Sequence, residues 1–218
     1  MNILAFTDFH GNQEAYRKAR EVIALQKPDF VIVAGDIINY DSQRAKQLLS
    51  DLESSGRPIY YVPGNMDDAE LRSWTGDSNL RSLHGRCENL GKISLIGLGG
   101  SPQGPFRTVF EYSEEEAADL LEKAMNDYRG GKLILVSHCP PKNTKVDCAF
   151  NGEHAGSMSV RKFVEKVQPL LVISGHIHEA QGVDKIGKST IVNTGPAKNG
   201  DFAKIAVGYD VTVTFAKL

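Results

Sequence analysis

Apolar runs of strand length recur along this sequence, each ending on a small or polar residue, and helix-period segments lie between them. Ile3-Leu4-Ala5-Phe6 is the first run. Gln13 to Gln26 follows, with Ala15, Tyr16, Ala19, Val22 and Ile23 at helical spacing until Pro28 stops it; Gly11 and Asn12 turn the chain and cap this helix. Phe30-Val31-Ile32-Val33-Ala34 is a second run, Gln43 to Leu52 a second helix, and Ile59-Tyr60-Tyr61-Val62 a third run cut by Pro63-Gly64. Strands joined through helices pair in parallel, so the chain reads as α/β.

The pattern continues with Ile93 to Leu98, a Gly- and Pro-rich loop from Gly99 to Arg107 that reads as surface, and a helix capped by Ser113 and Glu116 running towards Tyr128. Leu133 to Val136 is a strand, Val160 to Val167 a helix and Leu170 to Ile173 a strand. Beyond Gly175 the runs shorten and alternate, as in Ile186 to Ser189 and Val211 to Phe215, which we expect to be antiparallel strands closing a second sheet. With 218 residues, 41% of them hydrophobic, and no linker, the chain reads as one domain over 1–218 with no cap domain.

The polar residues at the run ends carry the functional argument. The first run leads into Asp8 and His10, the second into Asp36, the third into Asn65, the Leu133 run into His138 and the Leu170 run into His176 and His178. Four of the six histidines therefore sit at strand ends, the edge where open α/β sheets bind ligands. Taken singly each piece is weak: Asp-x-His suits a solvated turn, Gly-Asp a cap, Gly-Asn a turn. Their conjunction at five successive strand ends is what excludes a purely structural account. Carboxylate, imidazole and amide oxygen without thiolate suit Mn²⁺, Fe²⁺, Zn²⁺ or Ni²⁺, with Mn²⁺ the first choice. Seven donors exceed what one ion takes, which argues for two ions sharing a carboxylate, the clamp used for displacement at phosphorus. Asp8 and Asp36 neutralise half the charge of two divalent ions, leaving the remainder for hydroxide and an anionic phosphoester.

Asp8-Phe9-His10, Gly35-Asp36, Gly64-Asn65-Met66-Asp67, His138 and Gly175-His176-Ile177-His178 resemble the five signature blocks of the calcineurin-like metallophosphoesterase superfamily, in the family's order. Ser137-His138-Cys139-Pro140-Pro141 and His154-Ala155-Gly156-Ser157 further resemble small prokaryotic phosphoesterases related to cyclic-nucleotide phosphodiesterases. The resemblance implies a four-layer α/β/β/α sandwich with two mixed sheets flanked by helices. It also implies that Asp8, His10 and His178 hold a first ion, that Asn65, His138 and His176 hold a second, and that Asp36 bridges. A hydroxide between the ions would then attack phosphorus in line.

Met66 departs from the family, whose phosphatases carry His there as proton donor to the leaving group. A thioether donates no proton, so we expect weakened action on monoesters and a preference for small or nucleotide-like diesters. His154 is the candidate replacement acid, the alternatives being a helix cap or a solvent-facing side chain. Asp67 is expected to orient the Asn65 loop, Cys139 to pack as a small apolar residue and His84 to lie on the surface.

The other readings are a catalytically weak interaction module of this fold and a broad phosphomonoesterase. A net charge of −2 without a Lys/Arg stripe argues against a dedicated nucleic-acid track. No run reaches the roughly 18 apolar residues of a membrane span. Three irregularly spaced cysteines suit a reducing compartment, so a cytoplasmic enzyme is expected, with the homodimer as its default assembly.

Overall fold

The structure, a computed structural model, describes residues 1–76 and 79–218. In chain order the strands are β1 (Asn2–Phe6), β2 (Phe30–Val33), β3 (Ile59–Tyr61), β4 (Leu80–Ser82), β5 (Cys87–Leu90), β6 (Ile93–Leu98), β7 (Ser101–Pro102), β8 (Glu111–Tyr112), β9 (Lys132–Ser137), β10 (Leu171–Ser174), β11 (Gly182–Ile186), β12 (Ser189–Asn193), β13 (Asp201–Val207) and β14 (Val211–Lys217). The helices are α1 (Gln13–Gln26), α2 (Ser42–Glu53), α3 (Glu114–Met125) and α4 (Met158–Val167).

Each helix begins where a short polar side chain satisfies an otherwise orphaned backbone N–H. Asn12 accepts from Ala15, Asp41 from Arg44, Ser113 from Glu116 and Ser157 from Val160. The capping box at Ser113 is complete, and α3 stops at Met125, three residues short of the expected Tyr128.

One sheet runs β14-β13-β1-β2-β3-β4 and the other β11-β12-β10-β9-β6-β5, with β7 and β8 forming a separate small pair. β1 to β4 are parallel, and so are β12, β10, β9 and β6; antiparallel strands close three of the four edges. An antiparallel hairpin, β11–β12, does close the second sheet, but Ile186 to Ser189 is its turn, not a strand. The strand at Val211 does not join that sheet: β13 and β14 extend the first sheet, because Asn2 to Ala5 of β1 pair with Ala203 to Ala206.

Side-chain alternation along each strand fills three apolar layers. Leu4, Phe6, Val31 and Val33 pack under Tyr16, Ile23, Leu49 and Leu52 of α1 and α2. On the opposite face Ile3, Ala5 and Ile32 meet Ile134, Val136 and Ile173 of the second sheet. Leu133, Leu135 and Val172 pack outward against Leu121, Val160 and Val164 of α3 and α4. Helix, sheet, sheet, helix is the expected four-layer sandwich, and its parallel strands all point their C-terminal ends to one edge. Among the described residues no helix is long and apolar enough to cross a membrane.

Candidate functional site

The segments leaving β1 and β2 continue their parallel pairing past the strands themselves. Asp8 N–H donates to Gly35 O, His10 N–H to Asp36 O and Gly11 N–H to Ile37 O. Asp8, His10, Asp36 and His176 all adopt positive φ, of 53°, 47°, 50° and 67°. Asp and His tolerate this region better than most side chains. Small residues let the segments close up: a Cβ on Gly175 would lie 2.0 Å from Thr7 Oγ1 and 2.5 Å from Asp8 Oδ2, and one on Gly35 (φ 102°) 2.4 Å from His138 Nδ1.

The result is a cluster of inward-facing donor atoms. Asp8, His10 and His178 bring ligand atoms within 4.8 Å of one another, and so do Asp8, Asp36 and His138. Asp8 belongs to both groups, while Asp36 spans them through its two oxygens: Oδ2 lies 3.6 Å from His10 Nε2 and Oδ1 3.6 Å from His138 Nε2. Asn65 joins through Oδ1, 2.9 Å from His138 Nε2. His176 joins through its ring, 5.0 Å between centroids from that of His138, and its backbone N–H donates to Asp8 Oδ2. The seven expected ligands thus converge, four from the first sheet and three from the second.

Neighbouring groups orient them. Thr7 Oγ1 donates to Asp8 Oδ2 at 2.7 Å, leaving Oδ1 to face His178 Nε2 at 3.1 Å. His138 Nδ1–H donates to Ala34 O at 2.7 Å and His10 Nδ1–H to Asn39 Oδ1 at 2.8 Å, so both turn Nε2 inward. Asp67, fully buried, accepts from the backbone N–H groups of Ile37, Ile38 and Gly64 and so locks the Asn65 loop to the loop after β2.

The electrostatics fit a cation. Burial drives the carboxyl of Asp8 up, but His178, His138 and Thr7 outweigh it and hold it well below the usual range. Burial, then the charges of Asp8 and Asp67, push Asp36 well above that range. Burial also raises Asp67 to about 7, against the pull of its three amide donors. Burial, then His138, brings His176 down to about 3, and burial lowers His10 and His138 as well. Crowded buried carboxylates and imidazoles therefore share this space, and among the described residues no lysine or arginine pairs with Asp8, Asp36 or Asp67. His10 Nε2 stands 3.3 Å from His178 Nε2, an approach of two nitrogens that a cation between them would satisfy. The donor set matches divalent metal ions.

Met66 N–H donates to Asp36 Oδ1, and its sulfur accepts from Tyr40 O–H at 3.4 Å. His154 makes no hydrogen bond to any of the seven ligands. Its side chain is 40% exposed, with Nδ1 2.7 Å from Asp147 Oδ1, while Ser157 caps α4 in its place. Cys139 is buried as expected. His84 is not on the surface. It is half-buried, its Nδ1 accepts from Gly99 N–H, its ring packs edge-on against Phe110, and burial pulls it down to about 4.

A cleft of about 530 Å³ opens from Asn65 and His176. The loop that reads as plain surface in sequence forms one wall, lined by Gln103 and Phe106; Lys142, Ala155 and Gly156 form the other. Lys142, Asp147, Asn39 and Tyr40 carry no motif signal. Their roles arise from contacts between loops distant in sequence.

Residues 1–180 match the family model described as calcineurin-like phosphoesterase. The uncharacterized protein MJ1162 of Methanocaldococcus jannaschii is 32% identical over 202 residues, covering 90% of this chain and 88% of that one. The probable glycerophosphodiester phosphodiesterase GpdQ of Arcobacter nitrofigilis is 28% identical over 162 residues, 70% of this chain and 57% of that protein. The crystal structure of TT1561 from Thermus thermophilus shares the fold at a TM-score of 0.79 and 18% identity, over 99% of this chain and 98% of that one. The strand-end ligands, the four layers and the match over residues 1–180 agree: this chain belongs to the calcineurin-like phosphoesterase family.

Proposed function

We propose that this protein is a dinuclear metal-dependent phosphodiesterase acting on small or nucleotide-like diesters. The observation that carries the reading is the buried cluster of carboxylates and inward-turned imidazoles, with which no lysine or arginine among the described residues forms an ion pair. Asp8, His10 and His178 would hold one ion, Asn65, His138 and His176 the other, and Asp36, facing both halves, would join them. Divalent ions there, Mn²⁺ being our first choice, would activate water and neutralise charge on the phosphoryl oxygens.

The protein's own contribution is orientation and exclusion. Thr7, Asn39 and the Ala34 carbonyl fix which atom of each ligand faces inward. Asp67 keeps the Asn65 and Asp36 loops in register. Met66 supplies a sulfur and no proton, which favours diesters with good leaving groups over monoesters. The name of the related GpdQ, a probable glycerophosphodiester phosphodiesterase, supports the same preference. His154, its Nδ1 held by buried Asp147, would supply through Nε2 the acid that position 66 lacks.

The test is hydrolysis of bis(p-nitrophenyl) phosphate and of p-nitrophenyl phosphate by metal-stripped protein resupplied with Mn²⁺. Asp36→Asn runs beside it, and bound metal is counted by mass spectrometry. Diester turnover that needs the metal and falls at least about a hundredfold in the variant, together with metal loss, is expected. Turnover that persists without metal refutes the reading.

A further inference from the structure

The cleft beside the ligands has two walls of different chemistry, and each is braced. On one side Glu111 accepts from the backbone N–H groups of Gly104 and Thr108 and from Thr108 Oγ1, at 3.2, 2.6 and 2.9 Å. That clamp spends the carboxylate's hydrogen-bonding capacity on the loop and holds Phe106 between its two anchor points. Phe106 is 88% exposed, an unfavourable place for a large aromatic unless something covers it.

On the other side Lys142 is half-buried and its backbone is pinned at both ends: its N–H donates to Ser157 O and its carbonyl accepts from Arg161 Nη1. Among the described residues no carboxylate lies within ion-pair distance of its ammonium. Glu114, the acid on the same cleft wall, is occupied by the N–H groups of Met158 and Ser159 and by Ser157 Oγ. An exposed aromatic side chain on a clamped loop and a cation with no ion-pair partner among the described residues thus border one space of about 530 Å³, within the size range of small-molecule sites.

We propose that this cleft is the subsite for a nucleotide, its base against Phe106 and a phosphate other than the one cleaved against Lys142. The proposal rests on the phosphodiesterase reading and names its substrate class. A planar π-face rewards the exposed ring whichever base is present, and a second phosphate supplies the anion that Lys142 lacks. A space of this size takes one nucleotide, consistent with a chain that shows no basic track.

The test uses three diesters that share the p-nitrophenyl leaving group on Mn²⁺-loaded protein: the methyl ester, the thymidine 5′ ester, and the thymidine 5′ ester bearing a 3′-phosphate. KM should fall along that series. Phe106→Ala should raise KM about tenfold for both thymidine esters and leave the methyl ester unchanged. Phe106→Trp should restore the preference. Lys142→Met should raise KM about threefold for the 3′-phosphorylated ester alone, an effect that shrinks as salt is added. Calorimetric titration with thymidine 3′,5′-bisphosphate gives a readout that needs no turnover, and both Phe106→Ala and Lys142→Met should weaken it. Equal KM for the three esters, or unchanged bisphosphate affinity in both variants, overturns the proposal. Bisphosphate binding that depends on Phe106 and Lys142 without hydrolysis of any ester leaves the subsite standing and removes the phosphodiesterase reading instead.

Discussion

Replacing Asp147 by Asn tests whether one buried carboxylate organises the wall of the cleft. Asp147 is fully buried and splits its acceptors between two groups of donors. Oδ1 takes Thr144 N–H and His154 Nδ1, both at 2.7 Å, and Oδ2 takes the N–H groups of Asn143 and Gly156 at 3.0 and 3.1 Å. Asparagine keeps one oxygen and must point an NH₂ at the other set. With the oxygen on the His154 side, the amides of Asn143 and Gly156 both lose their acceptor. At about 1–3 kcal/mol for each buried donor left unpaired, less what loop relaxation recovers, the cost is about 2–4 kcal/mol. For a chain of this size that lowers Tm by about 5–15 °C. Thermal unfolding followed by circular dichroism, in EDTA and again with Mn²⁺, measures it. Bound metal should stay at the wild-type level, since Asp147 touches none of the seven ligands, while KM rises for substrates that fill the cleft. A Tm within about 2 °C of wild type would refute the reasoning and assign the loop's order to other contacts.

Three more substitutions probe separate parts of the argument. Gly175→Ala drives a methyl group into Thr7 Oγ1 and Asp8 Oδ2, so the purified protein should carry less metal and melt lower; full metal content with an unchanged Tm would contradict the close packing. Met66→His should raise turnover of p-nitrophenyl phosphate relative to the diester by about a hundredfold, and an unchanged ratio would show that position 66 does not set the preference. His84 titrates near 4 in the folded chain and near 6.5 when unfolded, so between those values the unfolded state binds the extra proton and stability drops as the pH falls. The wild-type Tm should therefore decline more steeply from about pH 6.5 to about pH 4.5 than that of His84→Asn, and parallel declines would rule out this linkage.

What the sequence makes legible follows from how local each signal is. The parallel strands stand out because β1, β2, β3, β9 and β10 are continuous apolar runs, buried on both faces by a second sheet and by helices. The seven candidate ligands stand out because only a few residue types bind metal and all fall at strand ends. Strands β4 and β5 escape notice: Leu80-Arg81-Ser82 and Cys87-Glu88-Asn89-Leu90 are short, polar edge strands whose pairing is decided by their neighbours. Joining β13 to β1 depends on a pairing across almost the whole chain, which no local period encodes. Asp147, Lys142 and His84 are single polar residues in loops, and their significance lies in partners brought from elsewhere by the fold. The loop from Gly99 to Arg107 reads as surface because its composition is that of a turn; only the Glu111 clamp turns it into a wall.

Four of the candidate ligands, Asp8, His10, Asp36 and Asn65, hang from one sheet, and His138, His176 and His178 hang from the other. The layer between the sheets is apolar side-chain packing, tied at this edge by hydrogen bonds such as His138 Nδ1–H to Ala34 O and His176 N–H to Asp8 Oδ2, and ions seated there would add rivets through both plates. By mass action, each tenfold rise in free metal above its dissociation constant would add about 1.4 kcal/mol of stability per ion. The same atoms that prepare the chemistry would then make the protein's lifetime a gauge of metal supply. A starved cell would then hold a looser sandwich, opening at that edge first and exposed there to proteolysis.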